Sequence, residues 1–415
     1  MACWRAWLLL TVAAGCHHHR PAVALRPEQS TAPPVARDLP LTKPDPLALD
    51  GNGVPTPPAR ATVALQGDAF RKLTERDCVR FAAASSGAAN LLDEGHRVPP
   101  RAGDCNAARD ELQRSVRTHA ALELRNRAAA DALERFFQLA DAEARGQLLR
   151  DGFPVLDGQL DRAKKAQAAG IRFPLDAGEL TRKRSQLATD LEQTEHASRL
   201  LNLDLKRRLG LPHQPAAERL WPAADFAVDP AAQDAEAAVA TALADRPELR
   251  GLRALYHGLT PDTLPDVREI LRANSALPNQ RLPFTLRRLL GRDEGPDPAA
   301  LAELEVRRKQ LLDLIAERER AVADETRAAL LDLDSQVTRI GRARERLAGL
   351  DVKLADAVKQ RLADQPGAEL LEAQSRTEVL KARAEVVAEV VAWHQARVRL
   401  WAAQGAFAWD AAPGK

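Results

Sequence analysis

Aromatic side chains are scarce: 4% of the 415 residues, with a single tyrosine. Conventional globular cores draw much of their buried surface from aromatic rings, so this composition does not describe a set of them. An excess of charge of one sign is also missing. Sixty Lys and Arg stand against 58 Asp and Glu, a net charge of +2, which argues against a nucleic-acid partner. The basic clusters "TRKRS" (181–185) and "LKRRLG" (205–210) lie among acids with no interleaved aromatics and read as solvated helix faces.

Catalytic patterns are absent as well. There is no P-loop, Gly-rich dinucleotide turn, HExxH or nucleophile elbow. The nine histidines are scattered, and His119, His196 and His394 sit singly in helical runs as seam or surface residues. Asp332 and Asp334, two apart on a helix, do not share a face. The expectation is a protein that is not an enzyme, with no cofactor and no metal site.

What is present is Ala, Leu, Arg, Glu and Asp in long stretches between rare glycines, the composition of long helices and coiled coils. The N-terminus carries an address. Arg5, the apolar run "AWLLLTVAAG" and Cys16 form a secretory signal too short to span a membrane, leaving residues 1–15 as the signal peptide. "AAGC" resembles a bacterial lipobox that would acylate Cys16; a plain export signal cut nearby is the other reading. Both send the chain to the cell envelope, with lipidation fixing it to the periplasmic face of the outer membrane. Of the remaining cysteines, Cys78 and Cys105 are a disulfide candidate closing a loop where periodicity fails.

Ten prolines between Pro21 and Pro58 mark residues 16–60 as an extended tether. Helical signal becomes continuous from about Ala107 and runs without proline to residue 151. After "GIRFPLDAGE", Leu180, Leu187, Thr194 and Leu201 recur at sevens, with Leu191, Ser198 and Leu205 on a second row. The second half repeats the plan. Leu333, Ile340, Leu347 and Leu354 recur at sevens in a run from about Ala299 to Ala363, then Val379, Val386, Trp393 and Leu400 in a run from 368 to about 405. A break holding Gly170 and Pro174 divides the first pair of helices, and one holding Pro366 and Gly367 divides the second. A helical hairpin used twice is the unit. Between the halves, "ALADRPEL" (242–249) has Asp245 as candidate N-cap and Pro247 in a first turn, so the proline begins a helix.

These residues together resemble the outer-membrane efflux protein family, the TolC-like channels. "ALADRPEL" is similar to the family's start of its second repeat, and "LLNLDLKRRLGLP" (200–212) to the closure of the first. "AGIRFPLDAGELTRKRSQL" and "ADQPGAELLEAQSRTEVLKARAEVV" resemble its hairpin tips. The resemblance implies an all-α dominated fold of two tandem coiled-coil hairpins: repeats at 61–212 and 236–407, a connector at 213–235 and a tail at 408–415. It further implies a homotrimeric conduit working with a periplasmic adaptor protein and an inner-membrane pump. The partner contacts would lie at the tips, Gly170, Pro174 and Asp176 in one and Asp364, Pro366 and Gly367 in the other.

The chain departs from the family where membrane strands are due. Such a strand needs about 9 to 11 residues of apolar and polar alternation with aromatic girdles. Residues 86–106 hold no such run, and residues 257–298 are broken by prolines, rich in arginine, and include the helix-like "PDVREILRAN". The expected β-barrel is reduced or absent. A non-conducting periplasmic coiled-coil lipoprotein is therefore the alternative; an adaptor-like hairpin protein lacks the lipoyl-like β segments it would need.

Overall fold

A computed structural model describes residues 39, 41–42, 48–49, 55–56, 69–94, 107–170, 176–211, 218–229, 233–274, 298–365 and 367–410. Three two-residue strands come first: β1 (Leu41–Thr42), β2 (Ala48–Leu49) and β3 (Pro55–Thr56). The first repeat follows as β4 (Ala69–Leu73), α1 (Glu75–Ala84), α2 (Gly87–Glu94), α3 (Ala107–Ala168) and α4 (Ala177–Arg208). The second is β5 (Glu218–Pro222), α5 (Ala235–Asp245), α6 (Pro247–His257), α7 (Leu264–Asn274), α8 (Pro298–Leu362) and α9 (Ala368–Ala403), closed by α10 (Ala406–Asp410).

The long helices start and stop for local reasons. The Asp176 carboxylate accepts the Glu179 N–H at 3.1 Å and opens α4. All four rods are followed by a left-handed residue: Gly170 (φ 67°), Gly210 (61°), Asp364 (53°) and Gly405 (73°). At Asp364 the N–H donates to the Arg361 carbonyl at 3.0 Å and that of Gln365 to Gln360 at 3.2 Å, the paired bonds of a Schellman end. Gly210 and Leu211 make the same pair to Arg207 and Lys206.

One helix carries a proline in its interior. α3 crosses Pro154, which removes a backbone donor, and continues to Ala168. Tertiary contacts hold it: Arg184 of α4 pairs with Asp157 at 2.5 Å, and Leu160, Ala163 and Leu180 bury one another beyond the proline. At Pro247 the expectation of a helix start holds, but the cap differs. Arg246, with φ −62° and ψ 118°, is the N-cap and makes no side-chain capping bond, while Asp245 ends α5 and pairs with Arg250 at 2.6 Å.

The rods stand in a row. α3 packs against both α4 and α9, and α9 against α8, whereas contact between α4 and α8 is marginal among the described residues. The heptad rows read from the sequence are the seams: Leu333, Ile340 and Leu347 of α8 and Val379, Val386, Trp393 and Leu400 of α9 are all buried in one core. Ion pairs fix the antiparallel register. Arg346 meets Glu385 at 2.6 Å, and seven residues on, Lys353 meets Glu378 at 2.8 Å. At about 1.5 Å per residue α3 and α8 each run between roughly 90 and 100 Å.

A small sheet ordered β1-β4-β5 joins the repeats, with β4 and β5 parallel and β1 antiparallel to β4. The outer edge of β5 is closed by a side chain: Asn202 of α4 donates to the Leu220 carbonyl at 2.8 Å and accepts its N–H at 3.0 Å. The tether is therefore not wholly free. Leu39 is buried in the core, its carbonyl accepts from Arg71 at 2.9 Å, and β2 pairs with β3. The C-terminal tail likewise begins inside the fold, because Phe407 and Ala408 of α10 are buried. Where membrane strands were sought, the described residues are helical, α2 within 86–106 and α7 within 257–298.

Candidate functional site

The expected partner contacts fall at the two hairpin tips, and the outer faces of the row are exposed beside them. At the first tip Gly170 takes the left-handed turn that ends α3, and Asp176 caps α4. Lys183 bonds Glu179 at 2.8 Å, and this hydrogen bond holds the Glu179 carboxyl below its usual range. Lys164, Lys165, Arg182 and Lys183 are exposed around it, so this end presents charge.

At the second tip Asp364 and Gly367 (φ 81°) supply the reversal. Behind them Glu372 is buried between Arg361 at 2.5 Å and Arg376 at 2.7 Å. One salt bridge ties the tips together, Arg162 of α3 to Glu369 of α9 at 3.4 Å. α3 continues six residues past Arg162 to Ala168, about 9 Å of helix, whereas Glu369 lies one residue inside the start of α9. The sequence placed the two tips at equivalent positions in the repeats; the structure makes them neighbours. Pro174 and Pro366 lie outside the described residues, as do Cys16 and Cys105. Cys78 is buried, and burial pushes its thiol pKa up.

The outer faces carry apolar groups left more than half exposed within the chain. Leu331 of α8 is 70% exposed and Val352 64%, on the side away from the Leu333 and Leu347 seam; Leu200 and Leu203 of α4 are 53% and 57% exposed, away from Ser198 and Asn202.

Polar groups that sequence reasoning passed over hold the body behind these surfaces. Arg219 of β5 donates to Glu143 of α3 at 2.6 Å and to the Ser198 hydroxyl of α4 at 2.7 Å, and Ser198 also bonds Glu143. All three are buried, which explains the polar Ser198 in a heptad row. A second network surrounds Arg246: Glu325 at 2.9 Å, Glu248 at 3.1 Å and the Ala403 carbonyl at 3.0 Å. Glu123, which bonds Arg127 at 2.6 Å, lies nearby with its pKa raised by burial and by Glu248. Glu123 and Arg127 are an i,i+4 pair, but Arg219 with Glu143 and Arg246 with Glu325 are dozens of residues apart, and nothing in the local pattern pairs them.

Among the described residues no group of His, Cys, Asp and Glu could hold a metal ion, and no helix is long and apolar enough to cross a membrane. No family profile matches the chain and no curated protein does. Solved structures do. CusC aligns at 13% identity with a TM-score of 0.55, covering 80% of this chain and 91% of that one. The fold is that of the TolC-like channels. The Vibrio cholerae outer-membrane protein VceC (11% identity, TM-score 0.54, 80% and 96% covered) and the Campylobacter jejuni outer-membrane channel CmeC (9%, 0.54, 80% and 85%) agree. At such identities the likeness is one of fold, and the TolC-like architecture accounts for two hairpins set side by side.

Proposed function

We propose that this TolC-like chain is the helical conduit component of a tripartite efflux or secretion system in the cell envelope. Three copies close as a ring, and the hairpin tips meet a periplasmic adaptor protein and an inner-membrane pump. The observation that carries this reading is the open row of four rods. A self-contained four-helix bundle would pack α4 on α8; here both end helices keep an apolar outer face, and a head-to-tail contact repeated by rotation closes a ring. Chemical crosslinking and native mass measurement of the purified protein test it. A trimer with conductance in planar bilayers, and lost tolerance to exported compounds on deletion, is the expected result; a monomer without conductance refutes it.

A second reading is favoured by a specific length. Only residues 95–106 separate α2 from α3. Crossing a membrane out and back as strands takes about 18 to 22 residues before any turn. On this reading the chain is a non-conducting periplasmic coiled-coil lipoprotein held by acylated Cys16. Cys16→Ala then releases it from the membrane fraction, whereas a chain inserted through its own barrel stays.

A further inference from the structure

The connector between the repeats closes over a histidine in an apolar box, with the Phe226 backbone as its polar neighbour. His394 of α9 is fully buried, its ring stacked on Phe137 of α3 with centroids 4.7 Å apart and planes 19° from parallel. Trp393 meets it edge-on at 4.8 Å and Phe226 of the connector at 6.0 Å. Neither ring nitrogen makes a well-formed hydrogen bond. Buried polar groups are nearly always bonded, so this one stands out against its apolar box.

The charges around the box leave no acid for the ring. Arg397, on the next turn of α9, is held by Glu75 of α1 at 3.1 Å and stacks on Trp401 and Trp393. Asp225 of the connector is exposed, with its carboxylate accepting the Ala227 N–H at 3.0 Å. On α3 the flanking acids are Glu134, near Arg399 at 3.9 Å, and Asp141, bonded to Arg145 at 2.9 Å. α8 contributes Leu333, Val337 and Ile340 to the same core.

We propose that His394 makes the connector an acid-released clasp: a proton on its ring displaces Phe226 and residues 223–229 from the core and loosens the joint between the two repeats. The aromatic box can hold the neutral ring only. Burial first, and the Arg397 charge second, push the His394 pKa down to about 3, against a hydrogen bond with the Phe226 backbone that acts to raise it. With the folded value below the ordinary 6.5, closure is fully favoured above pH 6.5 and progressively lost as pH falls from there toward 3. The neighbouring carboxylates act the other way. Burial raises the pKa values of Glu75, Glu134 and Asp141, so their protonation favours the folded form as pH falls. His119 is also depressed, by burial and then Arg250, but it sits against Gly251 of α6.

Hydrogen exchange of the full chain, followed by mass spectrometry at pH 7 and pH 5 and corrected for intrinsic rates, tests the clasp. Protection across residues 221–229 should fall by up to about 25-fold over that interval, the linkage of His394 alone, which the raised carboxyls reduce. His394→Phe and His394→Gln, neither of which titrates, should abolish the change; if the phenylalanine variant fails to fold, the glutamine variant decides. The clasp is overturned if wild-type protection there is unchanged, if a variant loses it as wild type does, or if the α3–α4 hairpin loses protection in step, which marks general acid unfolding.

Discussion

Gly405 lies backbone-to-ring against Pro247: a Cβ at residue 405 would stand 3.1 Å from the proline Cδ and 3.1 Å from the Asp245 carbonyl oxygen. The end of the last rod thus closes on the start of α6. Asn126 and Arg246 finish the joint by donating to the Ala402 and Ala403 carbonyls at 2.9 and 3.0 Å. Those carbonyls are among the four that a helix end leaves unpaired.

Gly405→Ala meets both the clash and the left-handed φ of 73°, and should lower stability by about 2 to 4 kcal/mol. Gly341→Ala and Gly349→Ala have nothing within 4 Å and should raise it by about 0.5 to 1 kcal/mol each. Urea melts followed by helical circular dichroism distinguish the three.

Glu143→Ala leaves Arg219 buried without its carboxylate and should cost about 3 to 5 kcal/mol. Glu143→Gln keeps an acceptor for Arg219 and Ser198 and should cost less. The ordering of the melting midpoints is the check, and equal losses would contradict the charge argument.

Cys78, buried and with its thiol pKa raised, should resist iodoacetamide at pH 8 in the folded protein. Denaturant then separates the two redox forms. A reduced thiol becomes labelled on unfolding, whereas a disulfide with Cys105 needs reductant first, as peptide mapping will report.

Leu331→Asp and Leu203→Asp place a charge on largely exposed faces, so helical content and melting should stay within about 0.5 kcal/mol of wild type. Ring closure should suffer instead. Sedimentation velocity is expected to show the oligomer of the wild-type chain dissociating in both variants, and an unchanged oligomer would remove these faces from the interface.

Much of the rod architecture was legible from spacing alone. Ile340, Leu347, Val386 and Leu400 recur at sevens because one stripe of each helix is buried, and burial leaves that period in the residues. Pro154 inside α3 is not explained by spacing. A local rule ends helices at proline, and the Arg184–Asp157 pair and the Leu160–Leu180 contact that override it come from another helix. The tips were located by Gly170 and Gly367, whose left-handed conformation any tight reversal needs, but the Arg162–Glu369 pair that joins them was not.

The sequence by itself determined the two hairpins, their breaks and the helix that begins at Pro247, since periodicity, capping and proline geometry act within a few residues. Only the tertiary structure decided that the rods stand in an open row and not a closed bundle. It alone brought Glu143 to Arg219, laid Leu39 in the core and enclosed His394 among Phe137, Trp393 and Phe226. Those relationships join residues dozens to hundreds of positions apart, and they are set by which apolar stripes meet, a choice that no single helix encodes.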